Sequence, residues 1–219
     1  MDLEELTRRL APLDTACLCD AGATVRALDP AIRPLSDAPK LVGTAFTVTC
    51  RLDFLQVLKA LREARAGDVL VVDAAGGRHA VAGELFATEA ARKGMAGIVV
   101  DGAVRDSAGI RRIGLPVYAR HLHPRAGGSV AVASHQVPVR CGGVMVHPGD
   151  LVVGDGDGVV VAPREELERI LPAAERIQAA EAAVLEAMAR GESLFRHLNL
   201  DEHDERLGRG EESSLRLLG

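Results

Sequence analysis

The sequence predicts an α/β protein in which a parallel βαβ unit is followed by a β-rich layer and a long C-terminal helix. Three patterns lead to that class. Two short apolar runs, Val69-Leu-Val-Val-Asp73 and Ile98-Val-Val-Asp101, flank a segment of helical spacing, as fully buried parallel strands do. Leu115 to Ala162 breaks into short apolar runs punctuated by Gly and Pro, which reads as strands joined by turns. Arg164 to Arg190 then holds apolar residues at helical intervals over a span too long for a strand.

In chain order, Leu3, Leu6 and Leu10 share one face of an opening helix within residues 1–14, and Asp14 to Val25 supports a second. A Pro-containing connector follows, Asp29 to Pro39. Leu41 to Cys50 is β-branched and alternating, a strand, while Asp53 to Ala64 places Phe54, Leu55, Val57, Leu58 and Leu61 at helical spacing, closed by Gly67. In the βαβ unit the helix runs from about Gly83 to Lys93. A right-handed crossover brings loops 74–83 and 102–106 to one sheet edge, beyond the strand carboxyl ends where ligands bind. The later strands are Pro116–Ala119, Val137–Arg140, Val144–Val146, Leu151–Val153 and Gly158–Val161. Pro172 is expected to bend or restart the long helix. The whole chain, 1–219, reads as a single domain whose charged end, 199–219, is a flexible or subunit-contacting tail.

Composition narrows the function. With 219 residues, 47% apolar, the chain can bury a substantial core. A net charge of −5 argues against nucleic acid or an anionic membrane as partner. Four Phe, one Tyr and no Trp leave too few aromatic faces for base stacking or a cation cage. The expected ligand is small and polar or anionic. Cys17, Cys19, Cys50 and Cys141 make no C-x-x-C pair, so they read as reduced thiols. No signal-peptide pattern or spanning run is visible, and cytoplasm is the expected address.

Candidate chemistry gathers at the predicted sheet edge. Arg105-Asp106 follows a buried strand and offers a fixed cation for a carboxylate beside an oxygen ligand for a hard metal; a helix-capping ion pair is the equal alternative. Gly83-Glu84-Leu85-Phe86 opens a helix whose free N–H groups suit an anion, although acids such as Glu84 are also favoured there by the dipole alone. On the long helix, Leu167, Ile170, Leu171, Ala174, Ile177, Val184, Leu185 and Met188 trace a stripe with Glu181 in its middle. That carboxylate must be paired, metal-bound, at an interface or turned to solvent. His121-Leu-His123 lacks a second ligand pair, and Gly154-Asp-Gly-Asp-Gly158 fits a tight turn better than a phosphate or calcium loop. His79 and Arg78 are candidates for a second substrate carboxylate, with solvated loop residues as the plainer reading. Neither Cys50 nor Cys141 shows a sign of activation.

These residues, with Leu41-Val-Gly-Thr-Ala-Phe-Thr-Val, Ala66-Gly-Asp-Val-Leu-Val-Val-Asp, Gly94-x-x-Gly97-Ile-Val-Val-Asp-Gly-x-Val-Arg105-Asp106 and Pro148-Gly-Asp-Leu-Val-Val-Gly-Asp-x-Asp-Gly-Val-Val-Val, resemble the RraA-like family from about Thr15 to Leu198. That family includes the class II 4-hydroxy-4-methyl-2-oxoglutarate/4-carboxy-4-hydroxy-2-oxoadipate aldolases and the regulators of ribonuclease E activity. The resemblance implies a β/β/α swivelling-domain architecture and a homotrimer or hexamer with sites between subunits. In the aldolase branch an acid precedes the Arg-Asp pair at the spacing of Glu84; the aldolases more often carry Asp there and the regulators Gly. By resemblance, Asp106 would ligate Mg2+ or Mn2+, Arg105 would bind the oxo-acid and its enolate, and Glu84 would hold a metal-bound water. The Leu85 and Phe86 N–H groups, beside Gly83, would receive the pyruvyl carboxylate, and Glu181 would come from the adjacent subunit. The implied activity is metal-dependent cleavage of an oxo-acid to pyruvate, with oxaloacetate decarboxylation through the same enolate. The alternative is a non-catalytic regulator that binds ribonuclease E. A menaquinone methyltransferase reading, also attached to the family, finds no glycine-rich nucleotide loop after the first strand.

Overall fold

In the computed structural model, which describes residues 1–37, 39–131 and 134–218, strands and helices alternate through the middle of the chain as the apolar runs require. Helices α1 (Leu3–Leu10) and α2 (Thr15–Ala21) precede the short strands β1 (Arg26–Ala27) and β2 (Arg33–Pro34). Then come β3 (Leu41–Thr49), α3 (Leu55–Glu63), β4 (Asp68–Ala82), α4 (Glu84–Arg92), β5 (Gly97–Val104), α5 (Ser107–Ile113) and β6 (Val117–Leu122). Strands β3 to β6 pair in parallel as neighbours, with one helix in each crossover. The short strands β7 (Val139–Cys141) and β8 (Val144–Val146) form a separate antiparallel pair, and β9 (Leu151–Gly154) and β10 (Val159–Ala162) rejoin the main sheet. Its order is β1-β10-β9-β3-β4-β5-β6-β2, parallel at the centre and antiparallel at both flanks.

Both faces of the central strands are buried, which is why their sequences run apolar without a break. Leu70, Val72, Ile98 and Val100 belong to the core shared with Val57 and Leu61 of α3, Ala87 and Ala90 of α4 and Ile110 of α5. Val69, Val71 and Val99 belong to the opposite core with Tyr118, Cys141, Val146 and Val152. Each full burial of such a side chain stabilises by about 1.5–3 kcal/mol. The β-rich layer expected over 115–162 is thus mostly an extension of the main sheet, and β7–β8 alone stands apart from it. The Gly154–Gly158 segment is the expected turn, closed by Asp155 N–H donating to Gly158 C=O at 3.0 Å between antiparallel β9 and β10.

One expectation about the ligand edge is corrected. Segment 74–83 is not a free loop: β4 continues to Ala82, with register shifts after Asp73, Gly77 and Ala80. Positive φ at Ala75 (51°) and Gly76 (68°) bends the strand there. Pairing with a longer β5 supplies the hydrogen bonds that a loop would have left to water, and the open connection shrinks to Arg105 and Asp106.

The described chain falls into two compact units, Met1–Leu171 and Pro172–Gly219. The last helix, α6 (Arg164–Ala189), runs through Pro172 without an assigned break, so no restart occurs there. The second unit continues through a 3-10 turn (Leu194–His197) and α7 (Leu200–Gly208). Its end has local order: Leu218 N–H donates to His197 C=O at 2.8 Å, and Asn199 binds Ser214 C=O and Arg216 N–H at 3.1 and 2.8 Å. Among the described residues no helix is long and apolar enough to cross a membrane.

Candidate active site

Strand β4 ends at Ala82 and α4 begins at Glu84, so Gly83 alone makes the turn and serves as the helix N-cap. The β4–β5 register sets Ala82 opposite Val104, and Arg105 N–H donates back to Ala82 C=O at 3.1 Å. Gly83 therefore lies against Arg105-Asp106. A Cβ at Gly83 would stand 2.6 Å from Asp106 Oδ2 and 3.1 Å from Arg105 Cγ. The backbone there is extended (φ −166°), so glycine is required for close approach and not for conformation.

Asp106 is left-handed (φ 60°, ψ 37°) and caps α5 with its backbone carbonyl, not its side chain. Its carboxylate turns instead toward the start of α4: Oδ2 lies 3.4 Å from Glu84 N–H and 3.4 Å from Arg105 Nε. A left-handed non-glycine residue costs about 1–2 kcal/mol, and such strain gathers at functional sites. Glu84 folds its own carboxylate onto α5. It fills the notch at Gly109, where a Cβ would meet it at 2.1 Å, and Oε1 is 3.5 Å from the Arg112 guanidinium.

In the first turn of α4, Phe86 N–H already donates to Gly83 C=O at 3.1 Å, while Leu85 N–H has no acceptor among the described residues. Only Leu85 of the two expected anion-binding amides is open. A cleft of ≈ 200 Å³ lies over this turn, lined by Ala80 to Gly83, Phe54 and Phe86 on its apolar side and Arg105 and Asp106 on its polar side. The rings of Phe54 and Phe86 meet edge to face at 6.0 Å.

Glu181 stands elsewhere in the chain, on α6 within the second unit, and it is not buried in a core stripe. Val184 and Ala187 face inward, whereas Glu181, Leu185 and Met188 share an exposed flank at i, i+4 and i+7. The predicted stripe drifted by part of a turn, because eight apolar positions on one helix do not distinguish a core face from an outward one. His79 and His123 were not paired by sequence reasoning, yet their rings lie 5.9 Å apart because β4 extends through His79 to the loop after β6. Asp101 of the family-like motif does structural work: its buried carboxylate takes Arg120 Nε at 2.6 Å and Gly142 N–H at 2.7 Å, tying β7–β8 to β5. Burial pushes the Cys50 thiol up to about 12 and raises that of Cys141, so neither is a nucleophile at neutral pH.

The sequence model of RraA-like proteins (Aldolase/RraA) matches residues 15–161, which include Gly83, Glu84, Arg105 and Asp106 and exclude Glu181. The chain belongs to the RraA-like family. A relative from Halalkalibacterium halodurans, named "Putative 4-hydroxy-4-methyl-2-oxoglutarate aldolase", is 40% identical over 169 residues, 76% of this chain and 80% of its own. Among solved structures, the RNA-processing inhibitor RraA from Thermus thermophilus is 32% identical with a TM-score of 0.65, over 68% of this chain and 92% of that one. A protein from Pseudomonas syringae pv. tomato described as uncharacterized is 26% identical with a TM-score of 0.79, over 88% and 96%. This RraA-like chain therefore has relatives named for a lyase and for an RNA-processing inhibitor, and its own site must decide between them.

Proposed function

We propose that this RraA-like protein is a divalent-metal-dependent carbon–carbon lyase that cleaves 4-hydroxy-4-methyl-2-oxoglutarate-type oxo-acids to pyruvate and also decarboxylates oxaloacetate. The observation that carries this reading is the meeting of Arg105, Asp106 and the open start of α4 around Gly83, at the mouth of a cleft with one apolar side.

Among the described residues, no group of three or more His, Cys, Asp or Glu forms a closed metal cage. A hard dication that keeps most of its water asks for only one or two carboxylates, and the oxygen donors of Asp106 and Glu84 are of that kind. Mg2+ or Mn2+ would suit these donors better than a cage-bound zinc: Asp106 would be the direct ligand, and Glu84, whose carboxylate now faces Arg112 at 3.5 Å, would turn to hold water beside it. When bound, the metal supplies Lewis-acid stabilisation of the charge that grows on the substrate's carbonyl oxygen.

The protein groups supply the rest. Leu85 N–H and the positive end of the α4 dipole take the pyruvyl carboxylate, and Arg105 fixes its orientation. Cleavage removes the proton of the C4 hydroxyl, and the C3–C4 electron pair moves into the C2 carbonyl. Arg105 offsets the resulting oxyanion in a cleft whose apolar side is formed by Phe54 and Phe86. The C4 fragment leaves as a ketone, which for 4-hydroxy-4-methyl-2-oxoglutarate is a second pyruvate, and a proton returned to C3 of the enolate releases the first. In oxaloacetate the same electron flow expels carbon dioxide. We assign the proton-handling carboxylate to Glu181 of a second copy; the exposed Leu185 and Met188 beside it support a covered position in a homotrimer or hexamer. No lysine lines the cleft for a Schiff base, and Lys93 Nζ is occupied at 2.7 Å by each of the Leu61 and Arg62 carbonyls.

The test is pyruvate release from 4-hydroxy-4-methyl-2-oxoglutarate and from oxaloacetate, with added Mg2+ and with a chelator. Metal-dependent release from either supports the reading, and its absence from both removes it. The likeness to an RNA-processing inhibitor favours a second reading, a non-catalytic regulator of ribonuclease E, and a pull-down that recovers ribonuclease E in the absence of lyase activity would favour it.

A further inference from the structure

We propose that His123 binds the far carboxylate of the substrate, so that the site selects oxo-acids with two carboxylates over analogues with one. The proposal deepens the lyase reading and rests on it for the near end of the substrate. Beside the cleft lies a second hollow of ≈ 280 Å³, lined by Arg105, Asp106, Ser107, Leu122, His123 and Pro124. Arg105 and Asp106 line both spaces, so a molecule held by its carbonyl end at these residues extends its other end into the hollow.

The hollow offers few partners for that end. Arg105 and Asp106 are taken up by the carbonyl end of the substrate on the lyase reading, and Leu122 and Pro124 have no polar side-chain atom. The Ser107 hydroxyl and the His123 imidazole are the donors that remain.

His123 is held in place from several directions. Its backbone N–H donates to Val104 C=O at 2.9 Å, and the ring lies beside that of His79 at a 55° tilt. The nearer Nδ1 contact is Arg125 N–H at 3.2 Å, against 3.5 Å for Arg125 C=O, which assigns Nδ1 as an acceptor. The ring proton then sits on Nε2, and in the imidazolium form Nε2 carries one as well. His123 is a donor at that atom in either protonation state. The loop itself is pinned to β4, where Ala80 N–H donates to Arg125 C=O and Gly127 N–H to Ala80 C=O, each at 2.9 Å. A donor held this firmly discriminates against a ligand that lacks its acceptor far better than the shape of an apolar wall does.

Two non-cleaved probes share the pyruvyl end and differ at the far carboxylate: 2-oxoglutarate and 2-oxopentanoate. Their dissociation constants are measured by calorimetry on the full chain with Mg2+ present. The wild type is expected to prefer 2-oxoglutarate by about tenfold or more, the size of one hydrogen bond to a charged group. His123→Ala is expected to erase most of that preference while leaving 2-oxopentanoate affinity unchanged. His123→Gln, which keeps a donor amide, is expected to retain much of it. A wild type that binds both probes alike or binds neither, an undiminished preference in His123→Ala, or equal weakening of both probes would overturn the proposal. Pyruvate release is scored separately: if it is absent while the preference behaves as stated, the lyase reading fails and the subsite stands. If release is present while His123→Ala keeps the preference, the subsite alone fails.

Discussion

Asp106 holds a left-handed backbone and presents its carboxylate to Arg105 and Glu84 N–H, so two substitutions there separate shape from charge. Asparagine tolerates the left-handed region and keeps the side-chain volume. Asp106→Asn is therefore expected to leave the melting temperature within a degree or two while lowering kcat for pyruvate release by about a hundredfold, as loss of a preorganised charged group does. Asp106→Ala adds backbone strain to the same loss, and Arg105→Ala should lose activity with the fold intact by circular dichroism; undiminished turnover in these variants would remove the site assignment. Gly83→Ala places a methyl 2.6 Å from Asp106 Oδ2 on a backbone that accepts alanine, so activity should fall much more than stability. That Arg105, Asp106 and Glu84 lie at one sheet edge was legible in the strand–helix–strand pattern, whereas the residues left a helix-capping ion pair as an equal reading and their proposed roles come from the family resemblance. The turning of Asp106 away from its own helix was not legible, since it depends on φ at one residue. Thiol chemistry gives an independent check on burial: Cys19 is exposed while Cys17, Cys50 and Cys141 are buried. Native titration with a thiol reagent should count one fast cysteine, and the remainder only after unfolding.

At the scale of elements, the order of strands and helices from β3 to β5 follows from periodicity, but where elements end depends on partners far away in sequence. β4 runs on to Ala82 because β5 and the segment at Ala126 pair with it, through glycines that alone would predict a loop. The cap of α2 makes the same point. Asp14 occupies the N-cap position without a side-chain cap hydrogen bond, and Asp155 binds the first residue of the helix from the β9–β10 turn, accepting Thr15 N–H at 2.7 Å and the Thr15 hydroxyl at 2.8 Å. Burial alone would raise the Asp155 pKa, yet these two bonds and the Asp157 N–H outweigh it and hold the group below the usual carboxylate range. A lowered folded-state pKa means stability that is fully present above the unfolded value of about 3.9 and is lost as pH falls through the folded value. Asp155→Ala is expected to cost about 1–2 kcal/mol at pH 7, a shift of a few degrees in melting temperature. The gap to wild type should narrow below about pH 4. A gap that stays constant from pH 7 to pH 3 would show that the Asp155 charge contributes nothing through these bonds.

For the whole molecule, the α/β class and the parallel centre of the sheet follow from buried apolar runs in one chain, and the family follows from the motif segments that resemble it. The proposed assembly is not legible in the sequence: the feature that bears on it is an exposed flank of Leu185 and Met188 beside Glu181, on a helix that also has buried positions. The proposed shared site requires one copy's Glu181 to meet another copy's Arg105, whereas a monomer leaves the Leu185–Met188 flank in water. Complementation distinguishes these arrangements. Arg105→Ala and Glu181→Ala are each expected to be inactive as pure proteins. If every site takes Arg105 from one copy and Glu181 from the next, dissociating and reassembling an equal mixture restores both residues in roughly a quarter of the sites by random pairing. Pyruvate release should then recover to about that fraction of wild type, with both parent proteins still folded. A mixture as inactive as its parents, when mass measurement shows that the copies have exchanged, would place Glu181 outside the shared site.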